Sequence, residues 1–133
     1  MRLLLLACAD TSVVDQTTNR ASLFNLLEEV ITPTFPIGIY SIAVFTLWER
    51  EPAEPDTHAE LTVRLNERQL MQGQLALNFQ QTIRCRSILT LRGLPLSEPG
   101  ILLFEITLAG QVVGSWRVLV TRTPQAAEAA PAV

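Results

Sequence analysis

The chain has 133 residues and a formal net charge of −3, which suits one domain with a sizeable core and makes nucleic acid and anionic membrane poor partners. Charged residues are 17% of the chain against about a quarter in ordinary globular domains, and every basic residue is an arginine. So few charges imply either strands buried on both faces or apolar surface that meets a partner, and no apolar run approaches the roughly 18 residues that span a bilayer.

The opening MRLLLLACAD admits two readings. Leu5-Leu6-Ala7-Cys8 resembles the cleavage site of a lipoprotein signal. However, a secretory signal needs an apolar stretch of roughly 7 to 15 residues, and only the short run from Leu3 to Ala7 precedes the cysteine. As a strand the same run is ordinary, because a continuous apolar stretch followed by polar residues suits a strand buried on both faces. The strand reading predicts a cytoplasmic protein in which Cys8 is a buried thiol.

In SLFNLLEEVI, Leu23, Leu26, Leu27, Val30 and Ile31 fall at helical spacing, with Asn19 available as a cap. The segment is short and flanked by strand signals, and it is read as one more strand. IYSIAVFTLW is apolar on both faces, as a central strand would be. EREPAEPD then reads as an acidic hairpin loop, since proline cannot donate to a ladder.

Beyond residue 57 two-residue alternation dominates. Ala59, Leu61, Val63 and Leu65 share a face, as do Leu75, Leu77 and Phe79, and Ile83, Cys85, Leu89 and Leu91. Leu102, Phe104, Ile106 and Leu108 repeat the pattern, followed by Trp116, Val118 and Val120. PLSEPG separates two strands, and Ala109-Gly110 has the spacing of a two-residue hairpin. Period-two alternation with one buried face marks antiparallel sheet. Seven or eight short strands at this spacing predict an all-β protein, a single antiparallel β-sandwich of immunoglobulin-like or C2-like type over residues 1–122. PQAAEAAPAV leaves 123–133 as a flexible Ala/Pro-rich tail.

The order of these features resembles a family of short bacterial β-sandwich proteins of uncharacterised function. The resemblance rests on the apolar opening strand ending near Ala9-Asp10, on NRASLFNLLEEVITPTFP, and on the long strand ending in LWERE. A loop ending at Gly100, a turn at Ala109-Gly110 and a closing strand ending in VLV complete it. It covers most of residues 1–122, implies a sandwich with 22–31 in strand form, and supplies no catalytic residues.

Chemistry-bearing motifs are sparse. Cys8, Cys85 and His58 are the soft metal ligands, without CxxC or HxxxH spacing, and alternation puts His58 and Cys85 on opposite faces. No metal or cofactor is expected, and reducing conditions would keep both cysteines as free buried thiols. His58 is the only histidine, with Asp56 nearby, and the absence of G-x-S-x-G argues against a serine hydrolase. Glu28-Glu29 and the Glu49, Glu51, Glu54 group lack the burial that general-acid work requires.

Two surface features remain. Arg84, Arg86 and Arg92 alternate outward on one strand, as an anion or acidic-partner contact or as ion pairs to Glu60 or Glu105. Ile88, Ile101, Leu103 and Leu119 are apolar on the nominally wet side of their strands. If those strands are neighbours they form a patch larger than a monomer usually exposes, unless the 22–31 segment or the long strand covers it. The expected role is therefore non-catalytic: an interaction or accessory domain that binds an unidentified protein or itself as a homodimer. A small-ligand or carbohydrate module with Trp48 as platform is the alternative, on fold analogy, and a hydrolase around His58 is the weaker one.

Overall fold

The computed structural model describes residues 1–124. These form nine strands: β1 (Arg2–Val14), β2 (Ala21–Leu26), β3 (Glu29–Thr32), β4 (Ile37–Glu49), β5 (Thr57–Leu65), β6 (Arg68–Leu77), β7 (Arg84–Leu96), β8 (Gly100–Leu108) and β9 (Gln111–Arg122). They lie in a four-stranded sheet of order β2-β1-β4-β7 and a five-stranded sheet of order β3-β9-β8-β5-β6. The all-β expectation holds. The strand count exceeds seven or eight, and β3 pairs parallel with β9, so the sheets are not wholly antiparallel. Of the tail expected over 123–133, Thr123 is tied by its N–H to the Thr32 carbonyl (2.8 Å), and residues 125–133 lie outside the described residues.

The extra strand comes from the segment read as one. Residues 21–32 form two strands in different sheets, and the chain crosses between them at Leu27-Glu28. The crossing is fastened on three sides. The Leu27 N–H donates to the Cys8 carbonyl (2.8 Å), the Leu27 carbonyl accepts from the Trp116 indole (2.7 Å), and the Glu28 carbonyl accepts from the Leu119 N–H (3.2 Å). The helical spacing of Leu23, Leu27 and Val30 arises here, because Leu27 and Val30 pack against the core at the change of sheet while Leu23 is half-buried on the β1–β2 hairpin. The acidic EREPAEPD segment also crosses between sheets, from β4 to β5, and is therefore no hairpin.

The core lies between the two sheets. Ala59, Leu61, Val63 and Leu65 of β5 face Ile42, Val44 and Trp48 of β4, with Leu102, Phe104 and Ile106 of β8 beside them. Strands β4 and β7 change phase together: Ile42 pairs with Leu91 and Ile39 with Leu94, and both pairs pack inward. The change falls at Gly93, whose φ of 68° suits a residue without Cβ. Ala109 and Gly110, at φ 51° and 81°, close the expected two-residue hairpin between β8 and β9.

Cys8 and Cys85 are buried free thiols. Cys8 pairs with Val44 and Cys85 with Trp48, on opposite sides of β4. Strand spacing and rise put them roughly 16 Å apart, beyond disulfide reach. Burial pushes both thiols up from their ordinary value, Cys8 the more strongly.

Candidate interaction surface

In a two-layer sandwich the outer faces decide what the molecule can meet, and here they differ. The five-stranded sheet is mixed outside, apolar at Ile31, Ile101 and Leu119 on one side and polar over β5 and β6. Gln72 and Gln74 stand opposite Thr62 and Glu60, and Arg64 is ion-paired to Glu105. The four-stranded sheet is apolar outside. Its outward residues include Leu5, Ala7 and Ala9 on β1, Ala43, Phe45 and Leu47 on β4, and Ile88 on β7, placed side by side by the register. Ala7, Ala9, Ala43 and Phe45 are nevertheless buried, although they do not belong to the cluster between the sheets.

The cover comes from the β1–β2 hairpin. Arg86, on β7, donates to the backbone carbonyl of Asn19 in the β1–β2 turn, although β4 separates β7 from β1 in the sheet. The distal half of the hairpin must therefore bend across the outer face of β4. The bend falls at Asp10 and Asn25, where Asn25 has φ 58° and its amide donates to the Asp10 carboxylate (3.2 Å). At the tip, Asp15 accepts from the N–H groups of Thr17 (2.8 Å) and Thr18 (3.0 Å). Those two backbone bonds hold its carboxyl below the usual range.

Across this arm Ala21, Leu23 and Ser12 are half-buried, and the other side is open. Val13 is 50% exposed, Phe24 49% and Leu26 47%. The pairings Thr11–Phe24 and Val13–Ser22 put Val13 and Phe24 on one side of the ribbon, and Leu26 lies across the bend, beside Ala9. Nothing in an alternation argument singles them out, because β2 was not separable from β3 and the bend of the arm has no motif.

The residues singled out from sequence divide between the sheets. Ile101 and Leu119 are direct cross-strand partners, with Leu103 two residues further along β8, so these three share the outer face of the five-stranded sheet. Ile31 on β3 joins that side beside Thr121. Ile88 does not belong with them, because β7 lies in the other sheet. The arginines also find partners other than those expected. Arg84 pairs with Glu49 (3.0 Å), Arg86 holds Asn19, and Arg92 lies over the Tyr40 ring (5.9 Å). Glu60 and Glu105 are in the five-stranded sheet, out of reach of all three.

His58 is exposed on β5, and Asp56 is occupied by Arg50 (3.6 Å) and by the Phe79 N–H (3.0 Å). The Met1, Arg2, Glu49, Arg50 and Glu51 depression, about 250 Å³, holds the Arg2–Glu49 ion pair, while Arg50 and the Met1 amine pair with Asp56 and Glu54. Glu49 accepts from Arg84 and from Arg2 (2.6 Å), and these bonds lower its carboxyl from the ordinary value. Among the described residues no three His, Cys, Asp or Glu side chains gather as a metal site. Trp48 is no sugar platform: it is fully buried, with its indole N–H unpartnered.

A family model described as a family of unknown function, DUF6941, matches residues 4–121. The chain belongs to this family. No curated protein matches it. The DUF6941 span runs from Leu4 in β1 to Thr121 in β9, so the arm, its bend and both outer faces lie within the family's domain. Among the described residues no helix is long and apolar enough to cross a membrane.

Proposed function

We propose that this DUF6941 domain is a non-catalytic interaction module that docks another protein on the open side of its β1–β2 arm. The observation that carries the reading is the exposure of Val13 and Phe24 on one side of a two-stranded ribbon, with Leu26 at its bend, each about half exposed. Isolated exposed apolar residues are ordinary on any surface. A group containing an aromatic side chain on a projecting ribbon is the kind of anchor that dominates protein interfaces. The engaged arginines and the exposed, unclustered His58 support a binding role over a catalytic one.

The sandwich itself is nearer the immunoglobulin-like than the C2-like type. The run β9-β8-β5-β6 has the order of the G, F, C and C′ strands, and β4 beside β7 has that of B and E. Strand β1 then takes the place of A, antiparallel beside B, and β3 that of A′, parallel to G, so the arm is an extension inserted between these two.

The test is affinity capture with the wild-type chain, Phe24→Ser/Leu26→Ser and His58→Ala, each checked for an unchanged melting temperature. The reading expects a protein that the wild type and His58→Ala both retain and that the arm variant loses. Equal retention by the arm variant would overturn it.

A further inference from the structure

Strand β6 closes one side of the five-stranded sheet, and among the described residues no strand pairs with its outer edge. Such an edge is a row of unpaired N–H and C=O groups ready to template another strand, and proteins commonly blunt it with lysine, proline or a very short strand. β6 does none of these. It runs ten residues, Arg68–Leu77, without proline or lysine, and its one bulge, at Leu70, lies outside the Met71–Leu75 stretch.

We propose that the edge is taken by a second copy of this chain, β6 against β6 in antiparallel pairing centred on Gly73. The side-chain order argues for a copy of itself. Met71-Gln72-Gly73-Gln74-Leu75 reads nearly the same in both directions. An antiparallel pair about Gly73 therefore sets Gln72 against the partner's Gln74, and Met71 against the partner's Leu75. Gln72 and Gln74 are exposed on the outer face, so each amide meets an amide able both to donate and to accept. On the inner side Met71 is only half-buried and gains cover.

Charge points the same way. The whole chain carries a net charge of −3, yet β6 holds no acidic residue and its single charge is Arg68 at one end. Antiparallel pairing sends the two copies of Arg68 to opposite ends of the joint, so no like charges oppose each other across it. Gly73 fits a central position. It adds no side chain at the centre of the joint, and within the chain itself a Cβ here would press on the Leu89 side chain at 3.2 Å. A joint of one strand pair is at the small end of specific interfaces, so the dimer dissociates on dilution.

The test is light scattering over a hundredfold concentration range on four samples. These are the wild type, Gln72→Lys/Gln74→Lys, Gln72→Glu/Gln74→Glu, and the two double variants mixed one to one. Both sites are exposed, and circular dichroism checks the fold of each variant. The expected result is a wild-type mass rising from one chain to two, a single-chain mass for each double variant, and dimers restored in the mixture where lysines face glutamates. A wild type that stays single throughout, or a lysine variant that dimerises like the wild type, overturns the proposal. Phe24→Ser/Leu26→Ser separates this surface from the arm: its dimerisation matches the wild type here, and loss of the dimer in that variant would overturn the assignment to β6.

Discussion

Gly100→Ala tests how the ends of two hairpins are locked together. Gly100 opens β8 at φ 147°, a conformation that side chains other than glycine rarely adopt, and a Cβ there would fall 1.9 Å from the Asn66 Oδ1 atom. Asn66 belongs to the two-residue β5–β6 turn. Its carboxamide accepts from the Ile101 N–H (3.1 Å) and donates to the Pro99 carbonyl and to Glu98 (each 3.2 Å). Backbone strain costs about 1–3 kcal/mol. Displacing the carboxamide removes at least one net hydrogen bond, about 1 kcal/mol. Together the substitution should cost about 2–4 kcal/mol. Asn66→Gly keeps the turn's positive φ accessible, removes the carboxamide alone, and should cost about 1 kcal/mol.

Because Asn66→Gly also removes the atoms that the new methyl strikes, the double variant should cost less than the two single costs added, by about 1 kcal/mol. Urea unfolding of all four proteins, followed by circular dichroism with unchanged m-values, measures this cycle. Additive costs, or a Gly100→Ala protein within about 0.5 kcal/mol of wild type, would refute the account of Gly100.

Three further outcomes follow from the geometry. Arg86→Ala frees the arm tip, so amide exchange over residues 15–20 should accelerate while global stability falls by no more than about 1 kcal/mol; unchanged exchange at the tip would show that Arg86 does not hold it. The Glu49 carboxyl is lowered by hydrogen bonds from Arg84 and Arg2, with their charges helping. Its stabilisation is therefore present above the ordinary glutamate value of 4.5 and is lost as pH falls through the folded value below it. Glu49→Gln should lose less stability than wild type on acidification below pH 4.5, as read by thermal melts across pH; parallel acid limbs would refute the assignment. For the thiols, Cys8 is fully buried and Cys85 lies at 9% exposure, so native-state alkylation should label Cys85 first and Cys8 only at the rate of global opening. Equal labelling rates would contradict the packing.

Much of this architecture was legible because alternation is a one-dimensional code. The inward sets of β5, β8 and β9, the central place of β4 and the turn at Ala109-Gly110 can all be read from residue spacing. What could not be read depends on where the chain changes layer. Leu27-Glu28 carries no glycine or proline to announce a crossing, and its spacing imitates a helix. The EREPAEPD loop has the prolines of a turn whether it reverses the chain within one sheet or carries it to the other. Without sheet membership, Ile88 could not be separated from Ile101, Leu103 and Leu119, nor Arg84 from Glu60. Trp48 was misplaced for a related reason: a residue near the end of an apolar strand can sit at a rim or within the core, and the partner strand decides which.

The low charge content now has a structural cause. In an ordinary two-layer sandwich each strand needs one apolar face, and the other face carries charge into water. Strand β4 needs two, because its inner residues Ile42, Val44 and Trp48 meet the opposite sheet while Ala43 and Phe45 are buried on the other side. β1 repeats this with Cys8 inside and Ala7 and Ala9 outside. A third partial layer, the arm, makes this possible, and small residues at Ala7, Ala9 and Ala43 leave room for it. The arm is only two strands wide, so it cannot bury both of its own sides. Its open side inherits the apolar residues that would otherwise face a further layer, and that inheritance sets Val13 and Phe24, with Leu26 at the bend, where a partner can reach them.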